Sequence, residues 1–267
     1  MMKAIPKTCL EPCANAGKVE RLDYGGKFAL LYTPTKDARN ILYLIHGGGG
    51  DQYDFFCPAF LNLVDHMIDD GSLAPLYMVA PSYYEPGATD KTPAASGVAV
   101  KKFIGELRRE VVPLAERRIG RTFDRENRAI GGFSMGGVTT WYAFMEGLDL
   151  FRWFMPLSGD CWALGETGGG KHPEATAKAV AEAAARQGGA AARQGGADFR
   201  IHAITGSKDI AFPNLDAQIR AMGAYPEVFG GKLRYDVMEG GVHCYDDIFR
   251  YLYNALPGLF DESTAYD

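Results

Sequence analysis

Ser134 lies in IGGFSMGGVTTW, 130–141, at the centre of a G-x-S-x-G pattern formed by Gly132, Ser134 and Gly136. That residue type in that spacing is either an ester-attacking nucleophile or an inert hydroxyl in a tight glycine turn. The apolar run Asn127–Phe133 predicts a short buried strand, and Val138–Gly147 predicts the helix behind it, so Ser134 would occupy a sharp strand-to-helix turn. The flanking glycines fall where the neighbouring strand and the helix crowd the turn. The backbone N–H groups at the start of that helix would face any negative charge that develops beside the serine oxygen.

A serine nucleophile needs a base, and the base needs an orienting carboxylate. The chain has five histidines. His66 falls in an amphipathic helical stretch, His172 precedes a helix as a solvated residue near its cap, and His202 sits inside the strand-like FRIHAIT among residues that must pack. His243 follows a predicted strand and the turn EGGVH, in a loop of the kind where parallel strands end and active sites gather. His243 is therefore favoured as the base, with His202 its rival. In ITGSKDIAF the strand ends near Thr205, Gly206 turns the chain, and Asp209 stands in the loop. It supplies the carboxylate in the order serine, acid, histidine and is favoured over Asp216, which falls within the next helix.

LIHGGGGDQYDFF adds a third element. A predicted strand ends at His46 and opens into Gly47–Gly50, four residues whose bare backbone can approach a reacting carbonyl. The N–H of Gly48 and that of Met135 are the expected oxyanion donors, and His46 is expected to hold the loop by a hydrogen bond. Tyr53, Phe55, Phe56, Tyr83, Tyr84 and Trp162 stand next to these loops. Of them Phe55 and Trp162, with Asp160 beside the latter, are the candidates for contact with a flat acyl group.

These residues need a frame, and the chain alternates strand-like and helix-like runs. Strands are predicted over Phe28–Thr33, Ile41–Ile45, Leu76–Ala80, Trp153–Leu157, Phe199–Thr205 and Lys232–Met238. Helices are predicted over Phe60–Ile68, Val98–Ile119 with a kink or break at Pro113, Leu215–Met222 and Tyr245–Leu256. The alternation implies an α/β fold with a mainly parallel central sheet covered by helices on both faces. The 267 residues, 47% hydrophobic, fit one domain spanning 1–267. The Gly/Ala-rich stretch 161–198 contains AARQGGA twice in tandem, at 184–190 and 191–197, and reads as a surface insertion, a lid or rim with one helix starting near Pro173.

Composition narrows the partners. A net charge of −5 with scattered basic residues argues against nucleic acid, and no apolar run approaches the length that spans a bilayer. The N-terminal segment has no hydrophobic signal core, which leaves a cytoplasmic protein or a chain without its leader. Cys9, Cys13, Cys57, Cys161 and Cys244 lack paired metal-ligand spacing, so no metal is expected, and their disulfide state stays open.

In their order and separations, HGGGG, GFSMGG, SGDCW, the GSKD loop and GGVH resemble the α/β-hydrolase fold and, within it, carbohydrate esterase family 1, the feruloyl and acetylxylan esterases related to esterase D. The resemblance runs from about Gly17 to Leu259. It implies a serine hydrolase that needs no cofactor and acts on esters decorating plant cell-wall polysaccharides such as arabinoxylan, most often outside the cell. Its expected catalytic residues are Ser134, Asp209 and His243. An acetylxylan esterase, an S-formylglutathione hydrolase-like general esterase and a non-catalytic binding protein on the same scaffold are the competing readings. Oligomeric state is not legible in the sequence.

Overall fold

Ile41–Ile45 and Leu76–Ala80 are continuous apolar runs, as strands buried on both faces require, and they sit at the centre of an eight-stranded sheet. The computed structural model describes residues 2–165, 168–191 and 198–261, with backbone alone for 188–191. The strands are β1 (Lys18–Tyr24), β2 (Lys27–Thr33), β3 (Asn40–Ile45), β4 (Leu76–Ala80), β5 (Arg128–Phe133), β6 (Trp153–Leu157), β7 (Arg200–Gly206) and β8 (Leu233–Met238). Their order is β1-β2-β4-β3-β5-β6-β7-β8, antiparallel for the first two pairings and parallel from β4 onward. This is the mainly parallel α/β-hydrolase arrangement that the alternation implies. Because the strands from β4 to β8 run the same way, the loops after β3, β5, β6, β7 and β8 all open at one edge of the sheet.

Helices cover both faces. On one face α1 (Pro58–Asp69) and α9 (Tyr245–Ala255) enclose a core around Phe60, Leu63, Trp153 and Leu252. On the other, α2 (Pro93–Glu106), α3 (Val112–Ile119) and α4 (Met135–Glu146) bury Phe103, Trp141 and Phe144. The predicted long helix is divided where Pro113 stands. Residues Leu107–Val111 form a π-helical turn before α3, because proline offers no N–H to the carbonyl one turn back. The helix also starts earlier than expected, at Pro93, with Thr92 Oγ1 accepting from the Ala95 N–H.

The remaining helices are α5 (Gly168–Lys171), α6 (Pro173–Ala191), α7 (Phe212–Met222) and α8 (Pro226–Phe229). Here the expectation of a surface lid is corrected. Ala177, Val180, Ala181 and Ala184 of α6 are buried in the same core as Phe144 and Leu215, and Gln187 ties α6 to the end of α4 through the Phe144 carbonyl and the Leu148 N–H. Small side chains bury little area each, but they let a helix approach its neighbours closely, so an alanine-rich face packs as a core face. The second AARQGGA copy beyond Ala191 lies outside the described residues.

Candidate active site

β5 ends at Phe133, and the chain turns through Ser134 into α4 without a spacer. The turn is strained: Ser134 has φ 56° and ψ −113°, a left-handed conformation that a side chain rarely adopts. Its N–H is held by the Leu157 carbonyl of β6 at 2.9 Å, and its carbonyl receives the Val138 N–H at 3.0 Å. Glycine at 132 and 136 is a steric requirement. A Cβ at Gly132 would lie 2.7 Å from the Gly136 carbonyl carbon, and one at Gly136 would overlap the Ile45 carbonyl of β3.

The loops after β7 and β8 are joined by backbone contacts. Gly206 lies so close to Gly241 that a side chain at Gly206 would overlap it, the Lys208 N–H reaches the Gly241 carbonyl at 2.9 Å, and the Gly240 N–H reaches Ser207 Oγ at 2.8 Å. This pairing sets Asp209 beside His243. The His243 Nδ1–H donates to Asp209 Oδ1 at 2.7 Å, and Ser134 Oγ–H donates to His243 Nε2 at 2.9 Å. Asp209 is buried, and its Oδ1 also accepts from the Ala211 N–H at 2.7 Å. The Phe133 ring packs against the imidazole with centroids 4.5 Å apart. A hydroxyl, an imidazole and a buried carboxylate thus stand in one hydrogen-bonded line, suited to moving a proton off the hydroxyl. His202 is elsewhere: it is buried within β7 and bonded to Asp236 Oδ2 at 2.7 Å.

The glycine run lies over the serine. A Cβ at Gly47 would be 3.5 Å from Ser134 Cβ, and one at Gly48 would be 3.1 Å from Met135 Cγ. Three of the four glycine N–H groups are engaged: Gly47 donates to Tyr245 Oη, Gly49 to Tyr84 Oη and Gly50 to the Gly47 carbonyl. Among the described residues the N–H of Gly48 meets no acceptor, and neither does that of Met135 in the first turn of α4, where helix geometry provides none.

His46 supports this loop. Its Nδ1 bonds the Gly47 carbonyl at 2.7 Å, its Nε2 bonds Ser82 Oγ at 2.8 Å, and its ring stacks on Tyr83. Burial pushes its pKa down to about 4, so it is neutral in the folded chain at neutral pH. In an unfolded chain the ring takes up a proton near pH 6.5. Stability is therefore expected to be full above pH 6.5 and to fall as the pH drops toward 4, by an amount on the order of 3 kcal/mol for this group. Melting temperatures of the wild type and His46→Gln at pH 8 and pH 5 check this, with a smaller acid shift expected in the variant.

A cavity of about 140 Å³ opens at Ser134 and His243, walled by Met135, Val138, Trp162 and Ile210. Trp162 and Asp160 line it, joined by a hydrogen bond from Trp162 Nε1 to Asp160 Oδ1 at 3.0 Å. Burial pushes the Asp160 carboxyl above the usual range, and bonds from Trp162 Nε1–H and the Gly169 N–H offset part of that shift. Phe55 is a correction. It is 1% exposed and stands edge-on to Phe60 and Tyr245 in the core, because the chain after the glycine run turns inward to enter α1. Sequence reasoning missed Tyr245, whose hydroxyl accepts from the Gly47 N–H at 3.1 Å and donates to Asp54 Oδ2 at 2.9 Å. The available signal was its position two residues after His243. Ile210, which follows Asp209 directly, was missed too, although it is 78% exposed at the cavity wall. The five cysteines are free thiols.

No family model matches the chain. It is similar in structure to the feruloyl esterase module of Clostridium thermocellum, solved as an alanine-for-serine mutant complexed with sinapinate. That match is 32% identical, covers 98% of this chain and 94% of that one, and has a TM-score of 0.83. A ferulic acid esterase of the anaerobic fungus Anaeromyces mucronatus shares the fold at 15% identity, with a TM-score of 0.72 over 98% of this chain and 99% of that one. In sequence the chain is 33% identical over 283 residues to endo-1,4-beta-xylanase Y of Acetivibrio thermocellus, covering 96% of this chain and 24% of that protein. The chain therefore spans about a quarter of that relative's length.

Proposed function

Because this chain belongs to the feruloyl esterases, we propose that it is a serine esterase of carbohydrate esterase family 1 that releases hydroxycinnamic acids from the arabinoxylan of plant cell walls. In this reading His243 Nε2 takes the Ser134 proton while Ser134 Oγ attacks the ester carbonyl carbon. The carbonyl oxygen, now negative, accepts from the Gly48 and Met135 N–H groups. Collapse breaks the bond to the alkoxide, which leaves as the alcohol with the proton held by His243. Water then loses a proton to the same imidazole, attacks the acyl-enzyme and frees the acid, restoring Ser134. Asp209 holds the imidazole in the tautomer that keeps Nε2 open and stabilises its cationic form. The place of action is outside the cell, where the wall polysaccharide is.

The observation that supports this substrate is the cavity at Ser134. Its volume, about 140 Å³, matches the roughly 150 Å³ apolar cavity that holds a benzene ring. The Trp162 indole and the Ile210 side chain offer apolar walls to such a ring. A small acetyl group would leave most of that space unfilled.

Rates with methyl ferulate, acetylated xylan and an S-acyl glutathione, measured side by side, test the assignment. Methyl ferulate is expected to give a kcat/KM at least about a hundredfold above the other two, on the scale of a buried ring's apolar contacts. A faster thioester would instead support a general esterase, and acetylated xylan as the fastest substrate would support an acetylxylan esterase.

A further inference from the structure

Gly47 and Gly48 lie against Ser134 and Met135, but the other end of the glycine run borders a different hollow. Gly50 forms part of the wall of a groove of about 290 Å³, twice the volume of the cavity at Ser134, about 140 Å³. The groove is lined by Arg21, Phe28, Asp51, Tyr84, Glu85 and Lys91. Gly48 and Gly50 are two residues apart, so their Cα atoms are separated by no more than about 7 Å. The groove thus begins within about one sugar ring of the oxyanion donors. An ester has two halves, and a cavity the size of one aromatic ring accommodates only the acyl half.

We propose that this groove is the subsite for the sugar part of the ester, a neutral pentose oligosaccharide; the proposal rests on the feruloyl esterase reading above. The lining carries both signs of charge, and its charges are already engaged. Arg21 pairs with Asp23 at 2.7 Å, Glu85 with Lys102 at 3.2 Å, and Lys91 Nζ donates to the Gly49 carbonyl at 3.1 Å. An anionic or cationic ligand would meet a like charge on one side of the groove. A polyol would not, since each hydroxyl both donates and accepts and can be satisfied by carboxylate, ammonium and guanidinium in turn. Aromatic surface completes the match. Phe28 carries the Arg21 guanidinium 3.9 Å above its ring, and beside it stands Tyr53, 54% exposed, with ring centroids 6.2 Å apart. An exposed ring of this kind offers a face to the C–H side of a sugar.

The test compares two substrates in Arg21→Ala/Tyr53→Ala, purified and checked by circular dichroism and melting temperature. Its kcat/KM on a feruloylated arabinoxylo-oligosaccharide should fall about tenfold, the effect of one charge-assisted hydrogen bond, while methyl ferulate stays within about twofold of wild type. Equal losses on both substrates, or no loss on the oligosaccharide, would overturn the groove as a sugar subsite. Failure of the wild type to cleave methyl ferulate would count against the esterase reading instead. In that event calorimetric titration with the unesterified arabinoxylo-oligosaccharide decides the groove: binding to wild type that is lost in the double variant upholds it, and no binding to wild type overturns it.

Discussion

Ser134→Ala is expected to lower turnover of methyl ferulate by about 10⁴- to 10⁶-fold while the protein stays folded. Both halves of that expectation follow from the turn. The Ser134 hydroxyl makes no capping bond to α4; its hydrogen bond is to His243 Nε2 at 2.9 Å, so removing it leaves the strand, the turn and the helix as they are. Alanine carries the same Cβ into the same φ of 56°, and the backbone strain is therefore unchanged. The melting temperature should move by no more than about 2 °C. Residual hydrolysis should persist above the uncatalysed rate if, as proposed, the Gly48 and Met135 N–H groups polarise the ester carbonyl toward water. A folded Ser134→Ala protein that keeps more than about a hundredth of wild-type turnover would remove Ser134 from the mechanism.

The residues behind that prediction were legible because their chemistry is local. G-x-S-x-G announces a crowded turn by itself, and GSKD and GGVH each follow a recognisable strand, so Ser134, Asp209 and His243 could be proposed one loop at a time. Their convergence is a property of parallel strands, which open consecutive loops at one edge. What escaped was set by long-range packing. β1 escaped because Leu22 is its one buried side chain and the rest are exposed or half-buried, so it shows no apolar alternation. Phe55 was misplaced because nothing local indicates that the chain after Gly50 turns inward. The network from Tyr245 to Gly47 and Asp54 spans nearly two hundred residues of sequence. The core role of α6 was hidden by its alanines, whose low hydrophobicity is read as surface although their small size is what permits close helix contact.

His243→Gln is expected to lower turnover by about 10⁴-fold or more in a folded protein, whereas His202→Gln should leave turnover near wild type and lower stability. The two histidines have the same kind of partner, a carboxylate at 2.7 Å, and differ in what lies on the other side of the ring. His243 faces Ser134 Oγ. His202 bonds Asp236 across the β7–β8 pairing and lines a separate hollow together with Arg234, Tyr251 and Asn254 instead. Burial holds the His202 ring below the usual imidazole range, and its bond to Asp236 offsets part of that shift. The sign for stability follows: an unfolded chain protonates this ring before the folded chain does, so the contribution of His202 is full above the unfolded pKa, about 6.5, and falls as the pH drops below it. His202→Gln should therefore show a lower melting temperature at pH 8 but a smaller further loss at pH 5 than wild type. Asp209→Asn separates orientation from proton acceptance. Without its anion the imidazole loses the partner that fixes its tautomer, and kcat should drop about 10³- to 10⁴-fold with KM little changed. Assays of the three variants on one aryl ester, each with its circular dichroism spectrum, decide the matter. An inactive, folded His202→Gln beside a fully active His243→Gln would transfer the base to β7, and Asp209 would lose its role with it.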